Sequence, residues 1–273
     1  MAEMPDIPAR LVKQLRDETG AGFMDAKRAL QETNGDIEAA KRLLREKGLA
    51  KAAARGERTT TEGTINYTIA DDHSWGAMVA VGCETEPVAN NVHFLDFTKK
   101  LLEAVVADGP DSVQRFEAEA TELNAQLGEN ITIVGAARFQ ADGGELVSGY
   151  AHPPALKIGV LVKVRGANAD AARRLAMHIA SAAPAYRSRD DVPVDVVAAE
   201  RDVYLASEEV QSKPEQAREK IAEGMLQKRF FAAHPGGVLH DQAWIYETSK
   251  TVAQALEEEG LEVVEFVRFS VGG

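Results

Sequence analysis

Apolar residues recur every three or four positions between residues 7 and 48, and this spacing predicts three short amphipathic helices. Ile7, Leu11 and Leu15 belong to the apolar stripe of the first helix. Glycine often ends a helix, and aspartate often caps its beginning. The boundary residues predicted on these grounds are, in chain order, Gly20, Asp25, Gly35, Asp36 and Gly48. Three such faces can share one small core, so residues 1–50 are expected to form an N-terminal module.

Phe23 and Met24 come directly after a glycine and are expected to lie in a loop between the first and second helices. Large apolar side chains in such a loop either fill the core of the module or form an exposed contact surface. The pattern leaves both interpretations open. A glycine-and-aromatic loop at this place resembles that of ubiquitin-associated domains, so a protein-binding adaptor of that kind is one functional hypothesis.

Residues 51–62 lose the apolar spacing and become basic and then polar, which predicts a linker. After the linker, alternation in residues 64–69 and an uncharged run in residues 76–83 predict a β-hairpin. A helix capped by Asn90 or Asn91 should follow, because apolar residues then return at helical spacing.

The segment Glu84-Thr85-Glu86-Pro87 joins this hairpin to its helix. Pro87 has a fixed φ and no N–H, so the segment cannot simply extend the strand. We expect it to face outward. Loops held between two rigid elements often carry binding or catalytic groups, which makes this loop the main candidate site.

A helix at residues 113–127 and a strand that begins at Ile131 are expected next. Together with the hairpin and its helix, they would complete a first α+β subdomain, residues 63–140. Its strands and helices would enclose one apolar core.

The order of a hairpin followed by a helix recurs in the second half of the chain. The hairpin strands are predicted at residues 145–150 and 158–164, and Asn168 opens the helix. Gly76–Val81 can be laid over Gly159–Val164 position by position. The sequence therefore predicts an α+β protein whose core consists of two related subdomains with antiparallel sheets.

Residues 191–231 interrupt the second subdomain, residues 141–273, with helical patterns on both sides of the turn Ser212-Lys213-Pro214. This predicts an antiparallel helical hairpin. Such an arm can contact a partner protein or a second copy of the chain as a homodimer, and it can equally pack on its own sheet. A helix capped by Ser249 and a strand at residues 262–271 are expected after it.

The net charge of −12 and the pI near 5.1 argue against direct binding to nucleic acid or to an anionic membrane, because clustered Lys and Arg make most contacts to phosphate. An acidic protein in a nucleic-acid pathway would act through another protein. The sequence has no signal-peptide pattern and no apolar run long enough to cross a bilayer, so a cytoplasmic location is expected. Cys83, the one cysteine, is expected to be a small buried residue rather than a reactive thiol.

Motifs for nucleotide, zinc or acyl chemistry, such as the P-loop, HExxH and GxSxG, are absent from the sequence. The six histidines are scattered, so we expect no metal site, and no cofactor is expected either. His178 is expected to be a packing residue rather than a base. An acid–base enzyme stays a hypothesis, with Glu84, Glu86 and His93 as neighbouring candidate groups.

Several strings along the chain resemble, in the same order, those of the bacterial elongation factor Ts family. The longest is LVKQLRDETGAGFMDAKRAL, which runs from Leu11 to Leu30. Shorter strings are Cys83–Thr85, Ile158–Val162, Met177–Ala180, Ser249–Val252 and Phe266–Phe269. The resemblance covers essentially the whole chain. It implies the same three-helix module, duplicated α+β core and helical arm that the residue patterns predict.

The resemblance implies a guanine-nucleotide exchange factor for elongation factor Tu, the GTPase that delivers aminoacyl-tRNA to the ribosome, and not an enzyme that acts on a substrate. In the family, the N-terminal module and the loop after the second strand engage the GTPase domain and disturb its magnesium and phosphate site. The second subdomain grips a different domain of the partner. The contacts implied for this chain are Phe23 and Met24 from the module, Thr85, Glu86, Pro87 and Val88 from the loop, and His152 from the second subdomain.

The loop departs from the family pattern at two positions. The family usually has Thr-Asp-Phe-Val where this chain has Thr85-Glu86-Pro87-Val88. Glu86 keeps the negative charge, whereas Pro87 replaces a large aromatic side chain of the kind that often anchors an interface. Losing about 2 kcal/mol at such an anchor would weaken a contact roughly 30-fold. Three interpretations follow. The partner has a compensating surface, exchange depends more on the other contacts, or this protein is impaired in exchange.

Overall fold

Two three-stranded antiparallel sheets stack face to face at the centre of the protein. The computed structural model, which describes residues 7–52 and 58–272, has helices on the outer face of each sheet. The strand order is β1-β2-β3 in the first sheet and β4-β5-β8 in the second, while β6 and β7 form a small hairpin. The strands are β1 (Glu62–Ile69), β2 (Trp75–Cys83), β3 (Thr132–Gln140), β4 (Glu145–Ala151), β5 (Ile158–Arg165), β6 (Ala243–Trp244), β7 (Glu247–Thr251) and β8 (Glu262–Ser270).

The helices fall into an N-terminal group, a group that covers the sheets and an arm. The predicted α+β class is confirmed by this architecture. In chain order the helices are α1 (Ala9–Thr19), α2 (Phe23–Glu32), α3 (Ile37–Ala52), α4 (Glu86–Ala89), α5 (Val92–Asp108), α6 (Glu117–Leu127), α7 (Ala169–Ala182), α8 (Val194–Ala206), α9 (Glu208–Gln211), α10 (Glu215–Met225) and α11 (Val252–Glu258). Asn91 and Asn168 cap α5 and α7 as predicted, each accepting a backbone N–H.

Strand β2 is buried on both of its faces, which explains its uncharged sequence. Val79 and Val81 pack against the helices that cover the first sheet. Met78 and Ala80 point the opposite way and pack against the second sheet. The alternation of a strand thus places successive residues of β2 in two different cores.

Two glycines allow the sheets to approach each other closely. A Cβ atom added at Gly76 would lie 2.8 Å from Val147 Cγ1 of the opposite sheet. A Cβ added at Gly159 would lie 2.5 Å from Ile65 Cγ2 and 2.9 Å from Met78 Sδ, again across the interface. Such distances are shorter than van der Waals contact, so any larger residue would push the sheets apart.

The structure confirms that Gly76 and Gly159 begin equivalent stretches of two related halves. Strand β2 has an irregularity in its pairing with β3 between Ala80 and Val81. Strand β5 has the same irregularity in its pairing with β8 between Lys163 and Val164. The two breaks lie at the same distance from the two glycines, as expected for duplicated sheets.

The two sheets also exchange equivalent hydrogen bonds. The N–H of Ile65 donates to the carbonyl oxygen of Leu156 at 2.8 Å, and the N–H of Val147 donates to that of His73 at 2.9 Å. Leu156 and His73 lie in the two hairpin turns and both have positive φ, 52° and 60°. Each turn therefore joins the first strand of the opposite sheet.

The three predicted N-terminal helices are present, but two of their boundaries were wrong. Helix α2 begins at Phe23, with Gly22 as its cap, so Asp25 is the third residue of the helix and pairs with Arg28. Phe23 and Met24 consequently belong to the first turn of α2 and not to a loop. Helix α3 continues to Ala52, well past the predicted end at Gly48.

Gly48 packs the module against the core instead of ending its helix. A Cβ added at Gly48 would lie 2.8 Å from both the Cβ and the carbonyl oxygen of Ala125 on α6. Arg45, one turn earlier, forms an ion pair with Glu122 of the same helix at 2.5 Å. The glycine is thus required by the close approach of α3 and α6. Residues 53–57 of the predicted linker lie outside the described residues.

The second half of the chain contains the predicted helical arm. Helices α8 and α10 lie against each other, and α8 has no buried residue. A π-helical segment, residues 226–231, follows α10 and leads back to the core. A small apolar cluster lies at the base of the arm and consists of Val192, Leu226, Phe231 and Val238.

The prediction that Ser249 caps the last helix was wrong. Ser249 lies in β7, which pairs with β6, and this hairpin was not predicted. Thr251 is the cap of α11, since its hydroxyl accepts the N–H of Gln254 while the Gln254 side chain accepts the N–H of Thr251. The polar sequence of β7 carries little strand signal, which explains the omission.

We predict that Gly48→Ala loosens the packing of the N-terminal module, although alanine is the better helix former. The new methyl group would overlap Ala125, so the melting temperature should fall and amides of α3 should exchange faster. Gly224→Ala is the matched control, because Gly224 also lies in a helix and a Cβ there meets nothing within 4 Å. The free energy of unfolding of this control should increase by up to about 1 kcal/mol. Equal stabilisation of both variants would contradict the role of Gly48.

Candidate protein-binding site

The predicted loop after β2 is short and ends in one helical turn. Thr85, Glu86 and Pro87 are exposed, and Glu86 begins α4 with Pro87 at its second position. Proline is favoured in the first turn of a helix because its missing N–H is not needed there. Val88 is half-buried and packs against the core of the first sheet. The outward orientation predicted for the loop is therefore confirmed for three of its residues.

Two carboxylates hold the beginning of this loop from opposite directions. Glu129 Oε2 accepts the N–H groups of Glu84 and Thr85 at 3.2 and 3.0 Å, and its Oε1 accepts the Thr85 hydroxyl at 2.5 Å. In return, Glu84 Oε1 accepts the N–H of Asn130 at 2.7 Å. Hydrogen bonds to ionised groups are roughly twice as strong as neutral ones. We call these contacts the carboxylate clamp.

Residues that lead into β1 add further contacts to the clamp. The Thr61 hydroxyl donates to the carbonyl oxygen of Glu84 at 3.2 Å. Arg58 Nη1 lies 3.3 Å from Glu84 Oε2, and the side-chain amide of Asn130 donates to the Arg58 carbonyl oxygen at 2.7 Å. The loop is thus fixed by two separate segments of the chain, residues 58–61 and residues 129–130.

Cys83 lies directly before the loop and is completely buried, as predicted. Burial raises the pKa of its thiol to about 12, so it remains protonated and unreactive at neutral pH. Its sulfur lies 3.4 Å from the carbonyl oxygen of Thr85. The cysteine thus supports the loop by packing.

Phe23 and Met24 are exposed on the module, with 49% and 61% of their surfaces accessible. This favours the contact surface over the core plug among the two interpretations of these residues. The preceding turn packs on the core, because a Cβ added at Gly20 would lie 3.1 Å from Gln126 Nε2 and 3.6 Å from His93 Cδ2. His93 lies in the first turn of α5, immediately after the loop. The module and the loop therefore adjoin the same end of α5.

His152 lies in the turn between β4 and β5 and is exposed. Its Nδ1 lies 2.8 Å from the hydroxyl of Tyr150. Lys157, in the same turn, donates to the carbonyl oxygen of Thr61 at 3.4 Å and pairs with Glu62 at 2.6 Å. Because Thr61 also contacts the clamp, the turn of His152 and the loop flank the same segment before β1.

Two of the three acid–base candidates have other contacts in the structure, and the third, Glu86, is exposed. The carboxylate of Glu84 is engaged by a backbone N–H and by Arg58, and His93 lies against the module. His178 is buried between α7 and β6, where Nε2 lies 3.0 Å from Gln242 Oε1 and the N–H of Ile245 donates to Nδ1. Burial lowers the pKa of His178 to about 4, so it is a neutral packing residue, as predicted. Within residues 7–52 and 58–272, no cluster of side chains suits a metal ion.

Comparison with known proteins identifies the family. The sequence pattern of the family described as Elongation factor TS matches residues 84–273. The chain is 39% identical to the Elongation factor Ts of Photorhabdus laumondii and of Escherichia coli strain K12, and 38% identical to that of Sodalis glossinidius. Each alignment spans 98% of this chain and 93% of the relative. The chain belongs to the elongation factor Ts family.

Membership in the elongation factor Ts family accounts for the whole chain. The hypothesis of a ubiquitin-associated adaptor uses residues 7–48 alone, whereas the alignments extend across the duplicated core and the arm.

Of the helices in the described part of the chain, none is long and apolar enough to span a membrane.

No pattern in the sequence points to Glu129, which accepts three hydrogen bonds from the loop of this elongation factor Ts family member. Glu129 follows Gly128, a predicted helix end, and was not distinguished from other polar turn residues. Its contacts are formed with residues 44 and 45 positions earlier in the chain. Only the pairing of β2 with β3 brings them together, and no local pattern records such a contact.

We predict that Glu129→Gln loosens the loop. An amide has one acceptor oxygen, so it cannot accept the N–H of Thr85 and the Thr85 hydroxyl with separate oxygens. Loss of about 1–3 kcal/mol should increase hydrogen exchange at the amides of Glu84 and Thr85 about tenfold or more. Glu117→Gln, at an exposed glutamate of α6, is the control and should leave this exchange unchanged. Unchanged protection in Glu129→Gln would mean that the clamp does not hold the loop.

Proposed function

We propose that this protein binds elongation factor Tu in its GDP-bound form and promotes release of GDP, so that GTP can bind. The observation that carries the proposal is the arrangement of the exposed groups. Phe23 and Met24 on the module and Glu86 and Pro87 on the clamped loop adjoin one end of α5. Membership in the elongation factor Ts family supports Tu as the partner.

Exchange of this kind needs no catalytic group on the protein. If the protein weakens binding of GDP to the GTPase by some factor, GDP weakens binding of the protein by the same factor. A complex without nucleotide is then the intermediate, and GTP displaces the exchange factor from it. What the chain must supply is a surface whose shape is fixed before binding, because ordering a loop on binding costs free energy.

The carboxylate clamp supplies this fixed shape for the loop. Glu129 and Glu84 hold the backbone at Thr85 through charge-assisted hydrogen bonds, and the exposed turn that follows projects from this fixed point. We assign His152 to a second contact, with a different domain of the partner, because it is exposed in the turn between β4 and β5 of the second sheet. We assign Thr85, Glu86, Pro87 and Val88 to the GTPase domain, together with Phe23 and Met24.

Release of a fluorescent GDP analogue from the cognate elongation factor Tu tests the proposal directly. We expect the intact protein to accelerate release when present in amounts far below that of the GTPase. Phe23→Ala should reduce the acceleration while the melting temperature stays the same, because this side chain is half exposed. No acceleration by the intact protein at any concentration would refute exchange activity.

We predict that Pro87→Phe accelerates exchange on an elongation factor Tu of the usual type. Pro87 is exposed, so an aromatic ring at this position can reach a partner without disturbing the core. An anchor of about 2 kcal/mol would strengthen the contact up to roughly 30-fold. Pro87→Ala is the control, since it removes the proline without adding a ring. Equal or slower GDP release with Pro87→Phe would show that no aromatic wedge is missing here.

A further inference from the structure

The outer face of the second sheet carries an arginine without an acidic partner. Arg268 on β8 is half-buried, and its Nε donates to the carbonyl oxygen of Ala180 on α7 at 3.2 Å. Across residues 7–52 and 58–272, no carboxylate lies within ion-pair distance of it, and desolvation alone lowers the pKa of its guanidinium. This is unusual in a chain with 43 acidic and 31 basic residues, in which most half-buried cations could find a carboxylate.

The outer nitrogens of Arg268 remain accessible. In the described part of the chain, the buried side-chain nitrogen and oxygen atoms without a partner belong to Ser112 and Arg138. The terminal nitrogens of Arg268 are not among them, so they reach solvent. A guanidinium that has lost part of its hydration and still presents free N–H groups is well suited to donate hydrogen bonds to a carboxylate.

The duplicated fold provides an internal comparison for this residue. Arg138 pairs across the first sheet with Ala77, and Arg268 pairs across the second sheet with Val160, the equivalent of Ala77. The guanidinium of Arg138 lies 5.9 Å from the centre of the Trp75 ring, and its Nη2 donates to Gln140 at 3.4 Å. Side chains of its own sheet therefore contact the Arg138 guanidinium, although its Nε has no hydrogen-bond partner.

Arg268 lacks both of these internal contacts. The position equivalent to Trp75 is Ile158, and the position equivalent to Gln140 is Ser270, as the strand registers show. Neither residue can hold the guanidinium as tryptophan and glutamine hold that of Arg138. The second sheet thus has an arginine at the equivalent position but lacks the side chains that contact Arg138 in the first sheet.

The position of Arg268 places it beside the candidate contact of the second subdomain. Val160 pairs with Arg268 on one side and with Tyr150 on the other, so these two side chains share one face, roughly 10 Å apart across two strand spacings. Tyr150 contacts His152 through its hydroxyl. Arg268 and His152 therefore lie at the same end of the same sheet.

We propose that Arg268 binds an aspartate or glutamate side chain of the GTPase next to the contact made by His152. This inference rests on the proposed function. A protein carboxylate fits better than a polyanion, because the net charge of −12 opposes binding of nucleic acid or an anionic membrane. A single carboxylate can form two parallel hydrogen bonds with the accessible edge of the guanidinium.

The test compares Arg268→Gln with Arg138→Gln, which removes the equivalent arginine of the first sheet. The dissociation constant for nucleotide-free elongation factor Tu is measured by calorimetry at low and high salt, and the melting temperature of each variant is recorded. We expect Arg268→Gln to weaken binding roughly tenfold and to reduce its salt dependence, while the variant stays fully folded at the assay temperature. Arg138→Gln should bind within about twofold of the unmodified protein. Arg268→Lys keeps the positive charge but lacks the paired N–H donors. Its affinity for the GTPase should therefore lie between those of Arg268→Gln and the unmodified protein.

The outcomes separate this inference from the proposed function. If the unmodified protein neither binds the GTPase nor releases GDP, the proposed function fails and the inference fails with it. If the unmodified protein is active and Arg268→Gln binds equally well, the inference alone is refuted. A change in self-association of Arg268→Gln in sedimentation velocity, with unaltered GTPase binding, would assign the carboxylate to a second copy of the chain and also refute it.

Discussion

The close contact of the two sheets is the constraint on which the rest of the structure depends. Gly76 and Gly159 lie where a single Cβ atom would collide with the opposite sheet. With the inner faces this close, each sheet has its outer face left for helices, and strand β2 is apolar on both sides. Reciprocal hydrogen bonds from Ile65 and Val147 then join each sheet to the hairpin turn of the other.

Much of this architecture could be predicted because burial leaves a periodic record in the sequence. The uncharged run of β2 and the repeat of Gly76–Val81 in Gly159–Val164 indicated two buried, related hairpins. Boundaries set by tertiary contact could not be predicted in this way. Gly48 has the appearance of a helix end, yet its role is to let α3 lie against Ala125, which is 77 residues further along the chain.

The candidate site was only partly visible in the sequence for the same reason. The exposed loop could be located from Pro87 and from the elements on either side of it. The group that fixes its shape, Glu129, could not be located, because its effect depends on the register of β3 beside β2. The dipeptide Arg138-Phe139 in β3 recurs as Arg268-Phe269 in β8. This repeat in the sequence marks the duplicated third strand.

Apart from the helical arm, the two halves also differ at the connection between the second strand and the helix that covers it. In the first half this connection spans residues 84–91, and in the second half it spans residues 166–168. Three residues are therefore enough to close the same strand-to-helix corner. The longer connection is an addition to a corner that the fold can close without it, so its sequence can change with the partner while the sheets stay as they are. Duplication thus produced one short corner and one long corner, and the proposed contact loop lies in the long one.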